Sequence, residues 1–553
     1  MKKTILYLLL CLVALPSFAE EGADKKKDWG YVTGSLESTN HIYVEDEVNN
    51  FYPSSYMQLK EGVFASNDYL KLDYYKGALS AGMQLEGYLP TLVGYPLSES
   101  TLALSNLYVS WREKSYSVTA GTFYEQLGSG LLFRSWEDRM LGLNNAMLGV
   151  RATYNFQDVF AVRAFWGIPR LGKQQFYTDP KFFGLGLTNV NVAAADVSLS
   201  LSNLLGWNAI TLSLEGSVMN KHESMEEIYA MVGCKENNVG WSGRVNFDAN
   251  GFFARGEYVD AGQQIVNVNA ASMGRKAERG NAQLLELGYN GRGLGVTMTG
   301  RRMDRMNQKI YAYNGAHPGY GSAANMLSYR PAMCTQYTYM LTTLNPYNCE
   351  VGDKVIRAGE IGGQIDAFYN FRRGSKVGGK RGMRVHANFS TYYGLDEFGK
   401  VNGEDFLFRD FSFDVEKQWT KKFKSMLMYS MQDNNNREFA SHIVVADMLY
   451  KWTPTISTRM ELQYLATKSY EGDWMAGLLE FNLAPHWSVF ASDMWNHGST
   501  KLHYYNAGVS FTIEHLRVSA GYGRYKAGFI CSGGVCREIP AYTGANLTLT
   551  ASF

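Results

Sequence analysis

The chain has 553 residues, with 53 Lys and Arg set against 52 Asp and Glu. That balance argues against nucleic acid as a partner, which would call for a basic excess, and against an acidic solvating tail. Its 37 tyrosines and 56 glycines, beside only 12 prolines, suit strands and tight turns better than helices.

At the start, Lys2 and Lys3 precede an apolar run from Thr4 to Leu15 and a small-residue site at Pro16, Ser17, Phe18 and Ala19. This pattern predicts a cleaved export signal over 1–19, a short arm over 20–27 and a barrel over 28–553. The run is too short and wrongly flanked for a membrane anchor. Cys11 lies inside it and follows Leu10 rather than a small residue, which argues against a lipoprotein. Beyond Ala19 no stretch approaches the roughly 18–20 apolar residues of a spanning helix. The exported chain is therefore expected to be either soluble or a β-barrel.

Period-two alternation then runs almost from end to end. Leu79, Ala81, Met83 and Leu85 oppose Ser80, Gly82, Gln84 and Glu86. Ile210, Leu212, Leu214 and Val218 oppose Thr211, Ser213, Glu215 and Ser217. Met383, Val385, Ala387 and Phe389 oppose Arg384, His386, Asn388 and Ser390. Met460, Leu462, Tyr464 and Ala466 oppose Arg459, Glu461, Gln463 and Thr467. The final segment sets Leu547, Leu549, Ala551 and Phe553 against Asn546, Thr548, Thr550 and Ser552. Many segments reach the roughly 9–11 residues that a tilted membrane strand needs. The expected fold is all-β: a large transmembrane antiparallel up-and-down barrel of the outer membrane, with roughly 24 strands (22–26) and no separate plug domain.

Connections alternate between short and long. Short turns fall around Lys76-Gly77, Glu113-Lys114, 155–158, Gly206-Trp207, 249–251, 291–293, 374–382, Lys421-Lys422, Pro454-Thr455, Pro485-His486 and Glu514-His515. Longer connections are expected at 41–64, 90–101, 126–143, 171–190, 221–237, 263–281 and about 305–361. Short periplasmic turns with long outer loops are the usual pattern of such barrels.

The 126–143 connection has bending glycines followed by both signs of charge beside Trp136. Arg134, Glu137, Asp138 and Arg139 are pore-constriction candidates, because opposed charges on a folded-in loop orient a polar solute. A solvated outer loop with ordinary salt pairs is the plainer alternative. The 305–361 connection is rich in Tyr, Met, Leu and Pro and poor in charge, which points to an ordered segment that caps or fills the barrel or meets a partner. Arg384, His386, Arg459 and Glu461 are lumen-lining candidates on a face of mixed charge that also holds Lys71, Asp73, Glu86, Arg151, Arg163, Asp414, Glu416 and Glu480.

Cys531 with Cys536, and Cys334 with Cys349, are disulfide candidates, since export permits bridges. Cys234 is then left over. No G-x-S-x-G, H-E-x-x-H or phosphate-loop motif occurs, so no enzyme, metal site or cofactor is expected. Two functions fit. One is a porin-like passive channel or transport protein for polar solutes. The alternative is a non-enzymatic scaffold or assembly barrel with a loop-filled lumen, whose partner would be an outer-membrane lipoprotein or a secretion-complex subunit. Outer-membrane lipids surround the barrel in both.

Several stretches together carry a resemblance: Gly121 to Gly130, Arg134 to Arg139, Tyr329 to Tyr347 and the closing Cys531-to-Phe553 hairpin. They resemble an uncharacterised family of Bacteroidota outer-membrane proteins known as a domain of unknown function. The resemblance implies a host group and brings no activity or catalytic residues.

Overall fold

Among the described residues, alternating sequence makes 24 strands that close on themselves. The first, Tyr31–Tyr43, pairs with Phe64–Lys76 on one side and with the last, Tyr542–Ser552, on the other. Every pairing around the wall is antiparallel, so no edge is left to aggregate. The computed structural model describes residues 29–553 apart from 61, 96–101, 171–189, 225–232, 234, 270–273, 307, 311–325, 333–338, 344–358, 397, 435–437, 470 and 534. The export signal and arm expected over 1–27 lie outside the described residues.

One end carries the short turns, at every position read from the sequence. Their chemistry is local. Asn250-Gly251 and Arg292-Gly293 both take positive φ at two successive residues, the twist that a two-residue hairpin needs. The other end carries the long connections. One expected connection, 263–281, is corrected: Phe252–Asn269 and Gly274–Gly291 stay paired through most of it, as far as Asn269 opposite Gly274. Gly262, at φ +70°, absorbs a register shift, and the ladder runs on past the reach of the flanking strands.

The apolar face points outward. Val109, Trp166, Val218, Trp241, Leu285, Leu427, Val444 and Leu479 are exposed on it. Their neighbours one residue along, such as Ser110, Ser217 and Ser242, are buried inside. Trp111, Trp207, Trp419, Trp452 and Trp487 ring the short-turn end, and Trp166, Trp241 and Tyr464 lie toward the other. An outward apolar band between aromatic girdles is the arrangement of outer-membrane-type barrels. Among the described residues no helix is long and apolar enough to cross a membrane. The apolar core lies within the barrel, toward the long-loop end.

Candidate functional site

The segment after strand Tyr116–Phe123 turns into the lumen. Two short ladders shape it: Gln126–Leu127 with Phe133–Arg134, and Glu137–Asp138 with Leu143–Asn144. Between the first pair, Gly128 and Gly130 take φ of +55° and +94°. A Cβ on Gly128 would sit 2.1 Å from a Glu257 carboxylate oxygen, so glycine lets the backbone lie against the wall. The Ser129 amide donates to Glu257 Oε2 at 3.1 Å.

Leu127, Leu131, Leu132 and Phe133 are at most 1% exposed. They pack on inward residues of several strands, including Phe165, Val192, Met219, Val259 and Met303. Burying each such side chain is worth roughly 1.5–3 kcal/mol, against about 0–1 kcal/mol for an exposed ion pair. Apolar contact therefore dominates in holding this segment inside.

A charged ladder lies beside it at mid-depth. Glu125, at the root of the segment, bridges Arg151 and Arg163, the second at 2.9 Å. Arg163 reaches Asp196 at 3.1 Å, Asp196 meets Arg244 at 2.5 Å, and Arg244 meets Glu215 at 2.8 Å. The mixed charges of the lumen face are thus largely paired across strands. Alternation alone puts Arg151 and Arg163 on the lumen face. Glu125, Asp196 and Arg244 carry no such signal in spacing, because strand register brings them together.

The four constriction candidates do not form one row of opposed charge. Arg134 is held by aromatic faces, 4.0 Å from the Tyr329 ring centroid and 5.5 Å from that of Trp136. Asp138 Oδ1 accepts from the Leu141 amide at 3.1 Å and shapes a turn. Glu137 and Arg139 lie together against the wall. Gln84 Nε2 donates to Glu137 at 2.7 Å, and Arg139 meets Glu37 at 2.6 Å and Glu137 at 3.5 Å while stacking 4.3 Å over Tyr69. A buried Arg170–Glu86 pair completes this corner.

Described parts of the long connection, 326–332 and 339–343, meet different sides of the lumen wall. Met306, Ile310 and Leu327 join the first apolar cluster. The Tyr329 amide donates to the Gly130 carbonyl at 2.8 Å, and the Arg330 amide to Gly533 in the final hairpin at 2.9 Å. Farther along, Leu341 packs against Ile443, Val445, Leu465 and Trp474 on another part of the wall. Its amide donates to Gln463 Oε1 at 2.8 Å, and the Tyr339 hydroxyl donates to Asp447 at 3.3 Å.

The lumen-lining candidates all lie on the inward face. Arg459 pairs with Asp447 at 2.9 Å and with Glu461 at 2.7 Å, directly beneath Tyr339. His386 sits between Asp414, 2.6 Å from Nδ1, and Asp366, 2.7 Å from Nε2. Arg384 stacks 4.7 Å over Phe368. Cys531 and Cys536 are partner positions in the backbone ladder of the hairpin Gly528–Ser532 and Val535–Ile539. Cys234, Cys334 and Cys349 lie outside the described residues. Among the described residues no cluster of His, Cys, Asp and Glu suits a metal ion.

The chain is similar to several solved structures. The P pilus usher PapC translocation pore aligns over 94% of this chain and 99% of its own, at 10% identity and a TM-score of 0.43. The siderophore receptor PirA from Pseudomonas aeruginosa aligns over 96% and 81%, at 9% identity and a TM-score of 0.41. The outer membrane protein opdK from Pseudomonas aeruginosa aligns over 95% and 99%, at 10% identity and a TM-score of 0.35. No curated protein matches the sequence. The match that spans the chain, residues 1–553, is to the Family of unknown function (DUF6029), and the protein belongs to that family.

Proposed function

We propose that the protein is an outer-membrane channel for polar solutes whose passage is set by folded-in loops rather than by the wall. The observation that carries this reading is the segment 124–146, seated within the barrel toward the long-loop end, rooted by Glu125 on a paired charged wall and joined to the long connection. A wall of 24 strands encloses more space than the 16–18 strands of a water-filled porin, so loops must do the narrowing. Toward the short-turn end the inward face stays wet, with Arg255 and Lys424 substantially exposed. The fold's outward apolar band and the export signal read from the sequence support an outer-membrane location.

A closed scaffold is the second reading. The dry seat of Leu341 on Ile443, Val445 and Leu465 favours it, because such contacts make a lasting filling. Planar-bilayer recording separates the two. Deleting 128–139 is expected to raise single-channel conductance while heat-modifiable barrel folding persists. No conductance in the intact protein, and none opened by the deletion, would leave the scaffold as the better account.

A further inference from the structure

The short-turn rim is chemically uneven. On one arc, residues 372–382, 417–424 and 451–455 carry ten Lys and Arg and no Asp or Glu. Among the described residues only Lys424 of these ten meets a carboxylate, Glu416 at 2.8 Å. Elsewhere on the rim, the turn 201–209 exposes Leu204, Leu205 and Trp207 and has no charge.

The direction in which this arc faces matters more than its charge. Lys417 falls on the same strand face as exposed Phe413, the outward one. Its ammonium lies 4.9 Å over the Trp419 ring and donates to the Val377 carbonyl at 3.5 Å. The cationic turn 372–382 therefore reaches the lipid-facing side of the neighbouring hairpin. That turn is shaped by its own bonds: the Gly374 amide donates to Gly379 at 2.7 Å, and the Gly379 amide to Ser375 at 2.8 Å. One hairpin farther on, Trp452 shares the outward face of Val444, and Lys422 Nζ donates to its carbonyl at 2.9 Å. Outward tryptophans sit where acyl chains give way to headgroups. Unpaired cations placed at that level meet phosphate.

We infer that this arc, from Arg372 to Lys451, binds the headgroups of anionic phospholipids in the leaflet at the short-turn end. The partner is a lipid rather than an acidic protein, because Lys417, Trp419 and Trp452 present their charge and rings to the side of the barrel and not only along its axis. The inference rests on the barrel standing in a membrane, but not on its conducting.

The test uses the full chain folded into nanodiscs of phosphatidylethanolamine with a minor fraction of phosphatidylglycerol. Lipids retained after transfer to mild detergent are counted by mass spectrometry. The wild type is expected to enrich phosphatidylglycerol about tenfold over bulk at low salt, and less at high salt. The variant Arg372→Gln, Arg373→Gln, Lys380→Gln, Arg381→Gln, Lys417→Gln, Lys422→Gln is expected to fall below about twofold. Lys76→Gln, Lys114→Gln and Arg292→Gln, on other turns of the same rim, should keep the enrichment. Heat-modifiability checks folding of each, and Lys417→Gln with Lys422→Gln alone should still lower the enrichment about twofold. No enrichment in the wild type, or equal enrichment in the arc variants, overturns the inference. Conductance plays no part in this readout, so a silent barrel leaves it standing and its failure leaves the channel reading standing.

Discussion

The amide of Arg134 donates to the carbonyl of Leu327 at 2.9 Å, joining the inward segment 124–146 to the long connection inside the barrel. Asn145 Nδ2 donates to the neighbouring Met326 carbonyl at 2.7 Å, and Tyr329 lies over the Arg134 guanidinium. The two loops are therefore one body, and loosening either should loosen both.

Leu132 is the direct test of what holds that body in place, since it is fully buried against the wall near Gly240. Leu132→Ala should weaken the seat of the loop by about 2–5 kcal/mol, the usual cost of such a cavity. The barrel ladder is untouched, so heat-modifiability should persist. Limited proteolysis should cut within 124–146 faster than in the wild type; an unchanged cutting rate would show that the apolar seat does not retain the loop.

Arg139 balances two carboxylates, Glu37 and Glu137. Arg139→Gln leaves both without a countercharge facing the lumen. The reversal potential across a salt gradient should shift toward cation preference, while Arg134→Gln, which removes a charge held by aromatic rings, should shift it less. Equal shifts would mean that the pairing of Arg139 has no bearing on permeation.

Asp46 lies in the connection 44–63 and ties it to the barrel end. Burial pushes its carboxyl up, but Arg524, at 2.7 and 3.1 Å, the Thr543 hydroxyl and the Asn49 amide hold it below the ordinary value of 3.8. With the folded value depressed, the contact is fully stabilising above the unfolded value and is lost as pH falls through the folded one. Protease sensitivity of 44–63 should therefore rise in strong acid and not between pH 6 and 8. Asp46→Asn should be sensitive already at neutral pH; a variant as resistant as the wild type there would refute the assignment.

Cys531 and Cys536 stand opposite each other across an antiparallel ladder, a separation compatible with a bridge. Unreduced mass spectrometry of the exported protein should find them joined. Two alkylatable thiols at these positions would rule the bridge out.

Much of this architecture is local and so was legible in the chain. Alternation such as Leu547 to Phe553 fixes which side chains share a face, and pairs such as Asn250-Gly251 fix where the chain reverses; neither needs a distant partner. The run 263–281 reads as a connection because its polar, Gly-containing sequence resembles a loop, while a bulge at Gly262 lets pairing continue. Similarly, Arg134 and Arg139 are near in sequence, yet one meets Tyr329 and the other Glu37. His386 was legible as a lumen residue, but its place between Asp366 and Asp414 depends on the register of three strands. Strand faces follow from periodicity within one segment, whereas charge pairing and loop seating follow from register and closure, which exist only once segments far apart in the chain have met.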